Sequence, residues 1–342
     1  MKGIGIIGTG AIAIKHVQAI AELEDAKVVG LFNPNPESAE AARTRFIEPV
    51  FSDLDEFLEI PDLDIVCVCT PSGMHLEPSL RAIHKGKHVM IEKPLEITLG
   101  RSDELILEAE KRGVQLAVIF QNRFAEDYQK LKKAVDDGVF GRLLMGNAYV
   151  NWYRTESYYA SSKYKGNIKA DGGGAFINQG IHTLDLLLDL MGDVESVYAK
   201  TLTSYHDIEA EDLGSALVTF KNGAIGNLTS ATSLFPGYPE KIEIYGTQGS
   251  AILEAGKLVA WNIKGQTSTE THQEVVLGSG SSDPNAIGFQ LHLAQWRHFL
   301  NALGTKEMPV VDGKTARKSV ELIRAVYLSS QQNKLVRFPF ED

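Results

Sequence analysis

A chain of 342 residues, 44% hydrophobic and 23% charged, has room for two compact units and the composition of an ordinary globular protein. Its 44 acidic against 34 basic residues give a formal charge of -10, which argues against a general nucleic-acid surface and a polybasic membrane anchor. No apolar run approaches the eighteen or so residues of a membrane span, and Lys2 leads directly into the first apolar run without a leader, so the cytoplasm is the expected location.

Residues 3–7 are an extended apolar run that enters Gly8-Thr9-Gly10-Ala11-Ile12-Ala13. A strand, a glycine turn and a helix start in that order make a socket for a pyrophosphate. Gly8 takes the turn, Gly10 lets backbone approach the phosphates, and Ala13 is small enough for close helix–strand packing. The helix start, with Thr9, Ala11 and Ile12, offers unpaired N–H groups to the anion. At the end of the second strand, about twenty residues on, an acid usually holds the ribose hydroxyls of NAD. Asn33 stands there, followed by Pro34-Asn35-Pro36, while Arg43 and Arg45 lie in or beyond the next helix. An amide bonds a diol without the charge that repels a 2′-phosphate. NAD is the expected cofactor, with NADP open.

Strand patterns at 3–7, 27–32, 65–69, 88–91 and 116–120 alternate with helical periodicity at 12–23, 37–46, 74–85 and 99–111. Near-continuous apolar strands separated by helices indicate a parallel sheet covered on both faces, with ligands at the strands' carboxyl ends. Cys67 and Cys69 fall in one such strand and read as reduced core thiols. Glu92-Lys93-Pro94 follows the fourth long strand, at that carboxyl edge. The Lys93 ammonium can polarise an oxygen during hydride transfer, and Glu92 can orient or tune it. The competing reading is a surface turn with an exposed lysine. His16, early in the first helix, is not expected to take part in catalysis.

After Phe120 the pattern changes. A helix at 127–137 precedes an alternating run at 143–152, a Tyr-, Ser- and Lys-rich stretch at 154–169, and Asp171-Gly172-Gly173-Gly174. A strong helix is expected at 175–191. Runs at 194–202, 214–220, 224–230, 241–245, 251–254 and 257–262 have hairpin-like spacing, with Asn222-Gly223 as a turn. A polar loop at 278–284 and helices at 292–303 and 316–333 complete an α+β region. Domains are expected at 1–122 and 123–342.

On the 175–191 helix, Asn178, His182 and Asp185 are spaced four and three, which lines one α-helical face. A histidine can accept a hydroxyl proton as hydride leaves the same carbon. Asp185 can hold that imidazole or bind a substrate hydroxyl, and Asn178 can bond a sugar oxygen. The alternative is a packed polar cluster joining helix to sheet. No thiolate or fourth ligand supports zinc, so no metal is expected. Arg123, in Gln121-Asn122-Arg123, is either a substrate contact or an interdomain brace. Trp152, Arg154, Tyr158, Tyr159, Lys163 and Lys165 either give a stacking face and cations for a uronate or nucleotide diphosphate, or form a solvated arm.

The glycine fingerprint, Thr70-Pro71 with His75, Glu92-Lys93-Pro94, and the stretch from Gly172-Gly173-Gly174 to Asp185 together resemble the glucose–fructose oxidoreductase, inositol dehydrogenase and rhizopine-catabolism dehydrogenase (Gfo/Idh/MocA) family over nearly the whole chain. The resemblance implies an α/β Rossmann domain followed by an α+β domain with a large open, predominantly antiparallel sheet that builds a homodimer or homotetramer. It implies that Lys93 is catalytic and that His182 is the general base or acid. Thr70, Pro71, His75, Glu92, Lys93 and Asn122 would join the glycine loop and Asn33 around the cofactor. Asn178, Asp185, Arg123, Arg154 and Tyr159 would meet the substrate, a sugar, nucleotide sugar or cyclic polyol. Many sugar and inositol dehydrogenases of the family carry aspartate where this chain has Asn178, which shifts the proton toward His182 or Lys93. The implied activity is reversible hydride transfer to and from a secondary hydroxyl. A glycosidase using transient oxidation and a non-catalytic nucleotide-binding regulator are the alternatives.

Overall fold

The computed structural model describes residues 1–162, 164–266, 269–270 and 288–340; Lys163 and the polar loop read at 278–284 lie outside them. The chain divides into two compact units, Met1–Gln121 with Gly288–Arg317, and Asn122–Ile287 with Lys318–Asp342. The expected second domain, continuous from 123 to 342, is corrected by this division, because residues 288–317 return to the first unit.

The first unit opens with β1 (Lys2–Ile7), α1 (Ala11–Ala21), β2 (Ala26–Phe32), α2 (Pro36–Arg43), β3 (Val50–Phe51), α3 (Leu54–Leu58), β4 (Leu63–Val68), α4 (Leu76–His84), β5 (His88–Ile91), α5 (Leu99–Arg112) and β6 (Leu116–Val118). The strands form one sheet in the order β3-β2-β1-β4-β5-β6, parallel throughout. Ile4, Ile6, Ile65, Val66, Val89 and Met90 are buried, as strands covered on both faces require. The strand order reverses between β1 and β4, the place where such sheets open a crevice at their carboxyl ends.

In the second unit the chain forms α6 (Glu126–Asp136), β7 (Leu143–Asn151), α7 (Glu156–Ala160), α8 (Ile168–Asp171), a π-helical turn (Ala175–Gly180), α9 (Ile181–Met191), β8 (Val194–Leu202), β9 (Leu213–Phe220), β10 (Ile225–Ala231), β11 (Lys241–Gly246), β12 (Gly249–Glu254), β13 (Lys257–Ile263) and β14 (Thr269–Glu270). After α10 (Gln290–Thr305) and α11 (Gly313–Gln332), β15 (Val336–Arg337) ends the described elements. Among the described residues the sheet has the order β14-β13-β12-β11-β7-β10-β9-β8-β15. Among the described residues only the β7–β10 pairing is parallel.

Alternation along the strands decides the faces. On β9, Gly214, Ala216, Val218 and Phe220 are buried, while Ser215 and Leu217 are exposed. The inner face packs on α9, whose Leu184, Leu186, Leu187 and Leu190 are all buried. Contact there is close: a Cβ on Gly146 of β7 would stand 2.5 Å from the Met191 sulfur. In the first unit, α10 buries Trp296, Phe299 and Leu300 in one cluster with Ala13, Ala19 and Ile20 of α1. Each large side chain so buried contributes roughly 1.5–3 kcal/mol, which is why this late segment belongs to the first unit. Among the described residues no helix is long and apolar enough to cross a membrane.

Candidate active site

The glycine loop between β1 and α1 has the shape its sequence requires. Gly8 has φ +98°, and a Cβ there would lie 2.5 Å from the Cys69 carbonyl oxygen, so only glycine fits. Gly10, at the start of α1, has nothing within 4 Å of where its Cβ would stand. α1 begins with no side-chain cap and no acid in its first turn, which leaves its first N–H groups for an anion. Ala11 is exposed and Ile12 half-buried beside that opening. The set fits a dinucleotide pyrophosphate.

Thr9 is the buried centre of this loop. Its hydroxyl accepts from Asn33 Nδ2 at 2.8 Å, and Asn33 Oδ1 accepts the Asn35 N–H at 3.0 Å. Arg45 Nη2 donates to the Thr9 carbonyl at 2.7 Å. The expectation that Arg45 stands away from the loop is therefore corrected: the chain folds back after α2 and brings it in.

Glu92, Lys93 and Pro94 follow β5 at its carboxyl end, with a cis bond between Lys93 and Pro94. Lys93 is half-buried. Behind it, Glu92 Oε1 meets His16 Nε2 at 2.9 Å, and the Trp296 indole N–H donates to His16 Nδ1 at 3.0 Å. An indole can only donate, so Nδ1 is unprotonated and His16 is the neutral Nε2–H tautomer, despite the pull of the carboxylate toward imidazolium. Burial pushes the Glu92 carboxyl up, but the His16 hydrogen bond and the Lys93 ammonium outweigh it and hold Glu92 well below the usual range. Lys93 thus stands beside an ionised, fixed carboxylate. His16, set aside on sequence grounds, is fully buried under this site; its place in the apolar stripe of Ala13, Ala19 and Ile20 was the available signal.

His75 requires a correction. It is buried, with Nδ1 2.9 Å from the Pro94 carbonyl and Nε2 3.0 Å from the Thr70 carbonyl. Both nitrogens face backbone, so it clasps the Lys93 turn to the Thr70–Pro71 turn and offers no nitrogen to a cofactor. Thr70 and Pro71 stay half-buried, the Thr70 hydroxyl donating to the Met74 carbonyl at 3.1 Å.

In the second unit, the expected single helix at 175–191 begins as a π-helical turn. The wider turn changes the phase, so the four-and-three spacing no longer reports one face. Asn178 and His182 are half-buried, whereas Asp185 is fully buried on the core side. Asp185 accepts from Arg123 Nε at 2.6 Å and Nη2 at 2.8 Å, and from the Ser319 hydroxyl at 3.2 Å. Arg123 Nη1 also pairs with Asp189 at 2.9 Å, and Tyr128 donates to the same Asp189. Burial pushes the Asp185 carboxyl up and the guanidinium pulls it down; the bidentate geometry is that of an ionised pair. Both residues are corrected from substrate contacts to a structural ion pair inside the second unit. Asn122 starts that unit half-buried, its carbonyl accepting from Ala125 N–H.

Asn178 Nδ2 donates to Asp171 Oδ2 at 3.2 Å, and the same oxygen accepts the Gly166 N–H. A carboxylate only accepts, so the amide is turned with Nδ2 toward Asp171 and Oδ1 away from it. Next to Asn178, Gln179 accepts from Arg154 Nη2 at 3.3 Å and donates to the Tyr158 hydroxyl at 2.9 Å. Arg154 is buried, its guanidinium 4.8 Å from the Trp152 ring centroid and 5.5 Å from that of Tyr158. Lys165 Nζ lies 3.8 Å from the same Tyr158 ring. Burial and the Arg154 charge push the Lys165 ammonium down, against the opposing pull of Asp171. Two cations on one phenol ring form a place suited to an anion. Tyr159 bonds the Thr232 hydroxyl at 2.7 Å, and burial pushes its phenol up to about 12.

Residues 2–120 match the family described as an oxidoreductase family with an NAD-binding Rossmann fold, and residues 128–252 match the GFO/IDH/MocA C-terminal domain. The oxidoreductase YrbE of Bacillus subtilis is 31% identical over 255 residues, 72% of each chain. The chain belongs to the Gfo/Idh/MocA oxidoreductase family. Myo-inositol 2-dehydrogenase of Thermotoga maritima is 27% identical over 98% of each chain. The crystal structure of the WlbA dehydrogenase of Bordetella pertussis, in complex with NADH and UDP-GlcNAcA, is similar at TM-score 0.89 and 30% identity, covering 100% of both chains. As a Gfo/Idh/MocA oxidoreductase the protein uses NAD, and its first unit is the Rossmann fold that binds it. Asp171 and Gln179 stand beside and inside the Gly172–Asp185 stretch and Arg45 beyond α2, but none is marked as a site residue by the sequence, because spacing does not disclose their partners Asn178, Arg154 and Thr9.

Proposed function

We propose that this Gfo/Idh/MocA oxidoreductase moves a hydride reversibly between NAD and a secondary hydroxyl on the sugar of a nucleotide sugar. The full-length likeness, at 30% identity, to a dehydrogenase solved with NADH and UDP-GlcNAcA carries this substrate class. Bound NAD supplies the hydride acceptor. Lys93 stabilises the negative charge that develops on the substrate oxygen as its proton leaves, which collapses to the carbonyl as the hydride departs, and ionised Glu92 stands beside that ammonium. His182 takes the hydroxyl proton and returns it in reduction. Asn178, held by Asp171, presents Oδ1 to a substrate hydroxyl. Because an amide stands there, no carboxylate relays the proton, and His182 carries it. Arg154 and Lys165 bind the anionic part of the substrate, and Tyr158 and Tyr159 supply ring faces beside it.

A free cyclic polyol is the second reading, favoured by the likeness to myo-inositol 2-dehydrogenase over 98% of both chains. A panel of nucleotide sugars, N-acetyl sugars and inositols, followed by NADH formation, separates the two. The highest kcat/KM is expected with a nucleotide sugar; an inositol turned over equally well would displace the first reading. The outer face of the second sheet carries exposed Tyr198, Leu217, Ile225 and Tyr245, a patch that supports a homodimer or homotetramer through that face. Light scattering giving the monomer mass would remove this assignment. Two buried free thiols, Cys67 and Cys69, support a reducing, cytoplasmic compartment.

A further inference from the structure

We propose that Glu211 is a positioning residue: its side chain clamps the glycine run Gly172-Gly173-Gly174 and so sets the π-helical turn that presents Asn178. The proposal rests on the assignment of Asn178 to the substrate and adds the group that holds it there. Glu211 is buried, two residues ahead of β9. Its Oε2 accepts the Gly174 N–H at 2.8 Å, and its Oε1 accepts the Phe176 N–H and the Tyr327 hydroxyl, both at 2.9 Å. Its backbone carbonyl accepts the Ala175 N–H at 2.9 Å. Three successive peptide N–H groups at the start of the turn, which would otherwise be orphaned, thus end on one residue.

The glycines are what this approach demands. A Cβ on Gly174 would stand 1.9 Å from the Glu211 carbonyl oxygen, and one on Gly173 would stand 2.2 Å from the Tyr327 hydroxyl. Gly172 has φ +80°, which favours glycine. The run is therefore a seat for Glu211 and Tyr327. On its other side the turn is held by Ser230 of β10, whose hydroxyl donates to the Ala175 carbonyl at 2.7 Å. α9, which follows, is fixed by its buried leucines. A π turn holds one residue more than an α turn, so relaxing it to α would rotate the residues ahead of α9 by up to roughly 100° about the axis. Asn178 lies in this turn, and Asp171, which orients its amide, ends at the glycine run. Releasing the clamp therefore moves Asn178 relative to His182. Glutamine cannot replace the carboxyl group of Glu211. Peptide N–H groups only donate and an amide has one accepting oxygen, so in either orientation one of the two N–H groups faces the NH2.

The test is a double-mutant cycle on the full chain, read as kcat/KM with NAD and, as probes for the two substrate readings, UDP-GlcNAcA and myo-inositol. Asn178→Ala and Glu211→Gln are each expected to lower kcat/KM by about tenfold, the size of one lost hydrogen bond, and to leave the NAD dissociation constant within about twofold. Because Glu211 acts through Asn178, the double variant should also lose about tenfold, not the hundredfold of independent sites. Tyr327→Phe, which keeps both peptide bonds to the carboxylate, should stay within about threefold of wild type. Thermal unfolding establishes that each variant is folded. If Glu211→Gln is not, Ser230→Ala takes its place in the cycle, with the same outcomes expected. Full additivity, or a Glu211→Gln variant with wild-type kcat/KM, overturns the inference and leaves the substrate assignment standing. Asn178→Ala at wild-type kcat/KM, or a wild type that turns over neither probe, removes that assignment and the inference with it.

Discussion

Single side chains divide into those that their motif announces and those that burial reassigns. The place of Lys93 was legible because Glu-Lys-Pro follows a strand, and a strand end in a parallel sheet is a definite place. Asp185 was not, since a spacing of three from His182 says nothing about which side of the helix faces the core. The structure resolves it through Arg123, whose bidentate bonds use both Asp185 oxygens. Breaking a buried pair leaves an uncompensated charge, which costs about 3–5 kcal/mol. Arg123→Leu strands both Asp185 and Asp189, so urea unfolding should show a loss of that size. A midpoint unchanged from wild type would return Arg123 to the list of substrate contacts.

At the level of elements, long periodic segments were readable and short ones were not. The strands and helices of the first unit stand within a few residues of their expected places. β3, with two residues, and α3, with five, fall below the length at which periodicity can be counted. The π-helical turn escaped because its residues suit an α-helix equally well. Nor does chain order disclose that α10 packs on α1, which the burial of Trp296 and Phe299 decides. This packing also brings His292 into the first unit's core, 5.2 Å from His16 between ring centroids. Burial pushes the His292 imidazole down from 6.5 to about 4. Between those values the unfolded chain binds a proton that the folded one refuses, so stability rises with pH across the window. The contribution is complete above about pH 6.5 and is lost as the pH falls toward 4, by roughly 3 kcal/mol. Thermal unfolding of wild type at pH 7 and pH 5 should therefore differ more than that of His292→Gln. Equal pH dependence in both would mean that this imidazole is not held neutral.

For the whole molecule, the division of labour was foreseen in kind: a Rossmann unit for the cofactor and a mostly antiparallel sheet for the rest. What a linear pattern could not foresee is that the chain leaves the first unit at residue 121 and supplies it again at 288–317. The proposed chemistry assigns the oxyanion to the Lys93 ammonium of the first unit and the proton to the His182 imidazole of the second. The most direct measurement is steady-state turnover of Lys93→Ala with its preferred sugar substrate, paired with the dissociation constant for NAD. Loss of the charge that stabilises the developing oxyanion should lower kcat by about a hundred- to a thousandfold and leave NAD affinity within about threefold. Turnover at the wild-type rate would contradict the account.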